Sequence, residues 1–408
     1  MNNNIPFKTA NILLPKKDFE KWSVIACDQF TSDKAYWDDT KKHVGDYRST
    51  LKITLPEIYL EGENTEETIK NINAEMKKYL TEDVFTEYKD AMIYVERTQA
   101  DGRIRPGIIG AVDLEDYDYR KGSEKLIRAT EGTVLERIPP RVKIRKDAPL
   151  ELPHIALLID DINKTVIEPL SAKKSSMTKL YDFDLMMGGG HIEGYLIDQE
   201  EIGRITNALA NLCNNEEHPL LFAVGDGNHS LATAKECYEM IKKDDPEAAQ
   251  NSPARYALAE VGNIHCTALD FEPIYRVVFG VDSDDFINEF KKHFETKTPN
   301  TTIIYTHENK EGTVEIDVPE DKLTTGVIQA YIDSYLTKNP TVKVDYIHGT
   351  NDVKALSSAP NTVGLIYEGI SKDTLFSSVK ATGSLPRKTF SMGEARDKRY
   401  YLECRKIK

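Results

Sequence analysis

The stretch Leu220-Leu221-Phe222-Ala223-Val224-Gly225-Asp226-Gly227-Asn228-His229-Ser230-Leu231-Ala232-Thr233-Ala234 limits the fold of this chain more than any other. The apolar run ahead of Gly225 predicts a buried strand, and Leu231, Ala234, Cys237, Met240 and Ile241 recur at the three- and four-residue steps of a helix. A polar cluster therefore sits on a strand-to-helix turn. Gly225 and Gly227 let the backbone approach a ligand closely, and the amides of the following helix's first turn attract anions. Asp226, Asn228, His229 and Ser230 surround that spot. The same residue types serve ordinary turns and helix caps, so the pattern alone leaves both a binding site and a plain connection open.

At 408 residues the chain exceeds one ordinary core. Two domains are expected, an N-terminal α/β domain over 1–175 and a second domain over 176–408 carrying a peripheral α+β insertion near 280–350. Hydrophobic content of 40%, charged content of 29% and a mean hydropathy of -0.48 describe a soluble globular protein. Neither an apolar membrane span nor a secretory leader is visible, which predicts the cytoplasm. The cysteines Cys27, Cys213, Cys237, Cys266 and Cys404 are odd in number and never form a C-x-x-C pair. They read as buried thiols rather than a disulfide framework or a structural zinc site. A formal net charge of -14 argues against nucleic acid as a partner, since phosphate backbones demand a surplus of Lys and Arg. Two locally basic segments remain, Arg128 to Arg145 and Arg387 to Arg405.

Strands are expected at Trp22–Ala26, Ala91–Arg97, Gly107–Leu114 and Ile155–Asp160, and Asp28 follows the first of them. Between the last two lies Leu126-Ile127-Arg128-Ala129-Thr130-Glu131-Gly132-Thr133-Val134, with charges and hydroxyls close together. Farther on, alternation places His191, Glu193 and Tyr195 on one strand face, and His191 reads more readily as a structural residue than as a ligand. No G-x-x-x-x-G-K-[ST] loop, G-x-G-x-x-G fingerprint, H-E-x-x-H or G-x-S-x-G occurs, and the protein-kinase motif set is missing. Walker, Rossmann, zinc-protease and lipase chemistries are thereby set aside.

Several of these stretches together resemble the domain-of-unknown-function 1015 family. Its D-G-H-H-R-Y-E-T-A is similar to Asp226–Ala234, its R-H-E-x-T to Arg128-Ala129-Thr130-Glu131-Gly132-Thr133, its P-x-x-R to Pro273-Ile274-Tyr275-Arg276, and its M-P-P-K-S-T to Ser384-Leu385-Pro386-Arg387-Lys388-Thr389. This chain departs from the family pattern at Asn228, Ser230 and Ala129, which stand where the family has His, Arg and His. The D-G-x-H turn also resembles the ParB and sulfiredoxin-like superfamily, which includes kinases of free serine. The fold so implied is α+β, with mixed sheets, flanking helices and a ParB/sulfiredoxin-like core around Asp226.

The function so implied is a nucleotide-dependent phosphotransferase using ATP or ADP with Mg²⁺ on a small polar metabolite, free L-serine being the acceptor the resemblance suggests. Under that reading Asp226 is metal ligand or base, Glu131 a second base, and His229 a catalytic phosphate contact. Gly225, Gly227, Asn228 and Ser230 line the phosphates, with Arg128, Arg141, Arg276 and Lys388 as cations. Arg128, Arg276 and Lys388 are expected to gather around His229, although Arg128 with Glu131 also fits a plain salt bridge. The alternative is a non-catalytic regulatory module that holds a nucleotide without turning it over. Sulfinic-acid reduction would need a reactive thiol, for which Cys237 is nearest. A homodimer is compatible with either reading.

Overall fold

The computed structural model describes residues 5–31, 33–60, 62, 64–213, 217–320 and 322–408. The chain forms two compact units, one made of Met1–Leu269 with Glu394–Lys408, the other of Asp270–Gly393. Both mix strands and helices, the α+β class expected from the sequence.

In the first unit, a mixed sheet runs in the order Thr178–Asp184, His191–Leu196, Ile93–Thr98, Ile104–Asp113, Tyr256–Asn263, Ala156–Ile159, Phe222–Asp226, Ile127–Ala129 and Tyr117–Asp118. Alternate residues of one strand point to opposite faces. Ile93 and Val95 accordingly enter one apolar cluster with Trp22, Trp37 and Tyr79. Tyr94 enters another with Phe222, Leu231 and Tyr238. The sheet is thus covered on both faces.

The boundary expected at 175/176 falls inside this sheet and is corrected. Strands before it, such as Ile93–Thr98, pair directly with strands after it, such as His191–Leu196, and a sheet pairs strands by register rather than by sequence distance. The insertion is also longer than the 280–350 expected, because Phe271–Phe279, Thr362–Ile366 and Phe390–Met392 pair within it.

The last fifteen residues of the chain are built into the first unit rather than left as a basic tail. Trp22 Nε1 donates to Leu402 O at 2.9 Å, and Leu13 and Cys404 exchange backbone bonds. Buried charges complete the attachment. Arg399 pairs with Glu260 at 2.7 Å and with Glu403, and Arg405 reaches Glu151 at 2.7 Å. Removing one member of such a set would strand an uncompensated charge in the interior. These contacts fix the path of residues 396–401.

The second unit is an antiparallel sheet in the order Lys310–Ile316, Thr301–His307, Thr362–Ile366, Phe271–Phe279 and Lys343–His348. Its core holds Phe286 and Phe290 of the helix Ser283–His293, with Ile328, Tyr331 and Ile332 of the helix Thr324–Lys338. Among the described residues no helix is long and apolar enough to cross a membrane.

Candidate functional site

The strand Phe222–Asp226 ends where the two sequence periods meet, and the helix Asn228–Asp244 opens one residue later. Gly227 joins them at φ +78°, and a Cβ there would lie 3.0 Å from Ile155 Cα. Only glycine meets both demands without strain. The Asp226 side chain folds back to accept the Gly227 amide at 2.8 Å. The first helical bond runs from Leu231 N to Gly227 O, which leaves the amides of Asn228, His229 and Ser230 ahead of the helix ladder.

Parallel pairing of Ile127–Ala129 with Phe222–Val224 delivers the next residues to the same end of the sheet. Thr130 Oγ1 donates to Val224 O at 2.6 Å, and Val134 N donates to His229 Nε2 at 3.4 Å. An acceptor at Nε2 puts the ring proton on Nδ1. Asn228 Oδ1 and Thr133 Oγ1 are buried without a hydrogen-bond partner. Native buried polar atoms are nearly always satisfied, so these two stand out beside the turn.

The antiparallel neighbour Ala156–Ile159, with Ala156 opposite Asp226, carries His154 just ahead of it. His154 Nε2 lies 3.2 Å from Asp28 Oδ2 and Nδ1 lies 3.1 Å from the Tyr401 hydroxyl, which also accepts the Cys27 amide. Burial acts to raise the Asp28 carboxyl, yet the charge and hydrogen bond of His154 outweigh it and hold the carboxyl well below its ordinary value. Burial likewise acts to lower His154, and the Asp28 carboxylate reverses this to a net rise. Both shifts favour the ionic form of the pair. Cys27 is pushed up to about 12 by burial and by Asp28, and burial raises Cys237 too. Neither is the thiolate that sulfinic-acid reduction would need.

Lys398 completes the group. Its ammonium stands 3.3 Å from Asp226 Oδ2, and its charge also helps to lower Asp28. Two carboxylates, an imidazole, an ammonium and a helix N-terminus thus share one electrostatic environment.

The residues expected from the sequence divide between this place and others. Gly225, Asp226, Gly227, Asn228, His229 and Ser230 form the turn, and Glu131 follows the strand that flanks it. Arg128 does not join them. It is buried, and its guanidinium donates to Lys125 O at 2.8 Å, His218 O at 3.1 Å and Pro219 O at 3.2 Å, toward the start of the strand Phe222–Asp226 rather than its end. Arg141 pairs with Glu57. Arg276 belongs to the second unit and is fully buried, with donors spent on Gln329 Oε1 and on the carbonyls of Ile274, Arg387 and Lys388. The donors of Arg128 and Arg276 thus go largely to carbonyl oxygens within their own units, and the cation beside Asp226 is Lys398. His191 lies between Asp184 at 2.7 Å and Asp182 at 2.9 Å on the strand pair at the sheet edge.

Asp28, His154 and Lys398 escaped the sequence reading. A faint signal existed for two of them: Asp28 follows a predicted strand as Asp226 ends one, and Lys398 falls in the basic segment 387–405. His154 had none beyond its place ahead of a strand.

Comparison with known proteins finds no match among curated sequences. Solved structures similar to this chain include a mutant free serine kinase in complex with ADP, at 9% identity, covering 73% of this chain and 91% of that one with a TM-score of 0.40. SbnI with a C-terminal truncation, from Staphylococcus aureus, is 13% identical, covering 70% and 82% with a TM-score of 0.35. A family profile described as a protein of unknown function, DUF1015, matches residues 5–347. On that match the chain belongs to the DUF1015 family.

Proposed function

We propose that the chain is a nucleotide-dependent phosphotransferase whose acceptor is a hydroxyl group on a small polar metabolite, with L-serine the acceptor to test first. One observation carries this reading. The Lys398 ammonium, 3.3 Å from Asp226, also acts on the Asp28 carboxylate that His154 keeps ionised. A cation, a proton acceptor and the amides of a helix's first turn therefore converge.

The amides of Asn228, His229 and Ser230 with the Lys398 ammonium hold phosphate oxygens, where charge-assisted donors are strongest. Asp28 orients the acceptor hydroxyl and takes its proton as the oxygen–phosphorus bond forms and the nucleotide leaves. A carboxylate this weakly basic suffices, because the transition state of phosphoryl transfer is loose and little proton transfer precedes it. His154 keeps that carboxylate charged and aimed. Asn228 Oδ1 and Thr133 Oγ1, unpartnered in the protein, receive donor groups of the bound molecule. The hard oxygens of Asp226, beside amides suited to phosphate, fit Mg²⁺. Asp226 would hold the ion, which when bound neutralises phosphate charge.

The test is release of ADP from ATP by the purified full chain, with and without a panel of amino-acid and polyol acceptors. Release that depends on an acceptor and vanishes in Asp28→Asn supports the proposal. Tight nucleotide binding with no acceptor phosphorylated would leave the non-catalytic regulatory module in its place.

A further inference from the structure

We infer that the second unit carries an oxyanion site of its own, built from Tyr346, His348 and Arg387, which takes the phosphate group of a small molecule. Tyr346 and His348 lie two residues apart on the strand Lys343–His348 and so share a face. The register sets Tyr346 opposite Arg276 and His348 opposite Ile274. The Tyr346 hydroxyl and His348 Nε2 are both buried and have no hydrogen-bond partner. Two such atoms on one face of one strand depart from the rule that buried polar groups are paired. They mark the seat of a group from outside the chain.

The surrounding charge fixes what that group is. The Arg276 guanidinium lies 4.8 Å from the Tyr346 ring centre and that of Arg387 lies 5.7 Å from it. Arg276 is sealed inside the unit and serves as the brace: its donors grip Lys388 O at 2.9 Å and Arg387 O at 3.2 Å, which seats the exposed Arg387 beside the tyrosine. Lys388 is held at φ +57°, in the left-handed region that a lysine rarely adopts, so the path of this turn is imposed by its surroundings. A hydroxyl, an imidazole nitrogen and a guanidinium are three groups able to donate a hydrogen bond. A tetrahedral phosphate accepts from all of them at once, whereas a planar carboxylate presents its lone pairs in one plane. The segments Pro273–Arg276 and Ser384–Thr389 acquire a common purpose here: one braces, the other binds.

The experiment is calorimetric titration of inorganic phosphate into the full chain carrying Lys398→Ala, which weakens anion binding at the turn at Asp226. Phosphate binding should persist in this background. Arg387→Ala and His348→Ala should each weaken it by about tenfold or more, and Tyr346→Phe by a smaller factor, as expected for losing one charged or one neutral contact. Arg387 is exposed and Tyr346→Phe keeps the ring, so both variants retain the fold even where His348→Ala lowers stability. No phosphate binding in the Lys398→Ala chain, or binding indifferent to Arg387→Ala and Tyr346→Phe, overturns the inference. So does a crystal soaked in phosphate that shows only ordered water at Tyr346 and His348. None of these outcomes depends on whether nucleotide binds at Asp226.

Discussion

The Lys398 ammonium lies 3.3 Å from the Asp226 carboxylate, which ties the end of the chain to the turn where the helix Asn228–Asp244 begins. Asp226 is about one-fifth exposed, with relative accessibility 22%, so its charge can change without opening the core. Asp226→Asn should therefore lower the phosphotransfer rate by at least about a hundredfold while the melting temperature moves little. Steady-state kinetics paired with thermal unfolding would check this. A variant that keeps its rate removes Asp226 from the chemistry.

The Asp28–His154 pair should give stability a pH window. Asp28 titrates below its ordinary 3.8 in the folded chain, so its contribution is present above that value and is lost as pH falls toward the lowered one. His154 titrates above its ordinary 6.5, so its contribution is complete below 6.5 and is lost as pH rises through the raised value. Denaturant unfolding followed across pH should show both flanks. Asp28→Asn should flatten the alkaline flank, since His154 then loses the partner that raises it.

Gly227→Ala should destabilise the first unit by roughly 1–3 kcal/mol, because it forces a side chain into the left-handed region. The added Cβ would also press on Ile155 at 3.0 Å. The measurement is the shift in denaturation midpoint. An unchanged midpoint would mean that the turn relaxes freely.

Arg128→Met separates a structural arginine from a ligand clamp. The buried guanidinium donates to three backbone carbonyls, and removing it should cost about 1–3 kcal/mol of stability. Affinity for ATP should stay within about twofold of the original. A large loss of affinity with stability intact would return Arg128 to the phosphate site.

The strand, turn and helix around Asp226 were legible because two periodicities meet at a glycine, a purely local signal. Cys213, Cys237, Cys266 and Cys404 were also legible as buried thiols, whereas Cys27 is only half-buried. Arg128 misled for a reason that spacing does not show. It lies three residues from Glu131, yet an extended strand separates them along its length, and the arginine turns back toward carbonyls at the strand's start. Arg276 misled because a conspicuous arginine in a motif suggests a ligand, whereas here its donors serve Gln329 and backbone carbonyls. Asp28, His154 and Lys398 were hidden because their meeting depends on sheet order and on the return of residues 394–408 to the first unit. That return is fixed by long-range contacts such as Arg399 with Glu260, and no local pattern records them.

The most direct measurement is calorimetric titration of ATP with Mg²⁺ into the full chain and into Lys398→Ala. The original chain should bind, and Lys398→Ala should bind about ten- to a hundredfold more weakly, the size of one lost charge-assisted phosphate contact of about 1.5–3 kcal/mol. No binding by the original chain, or equal binding by the two, would contradict a nucleotide site at Asp226.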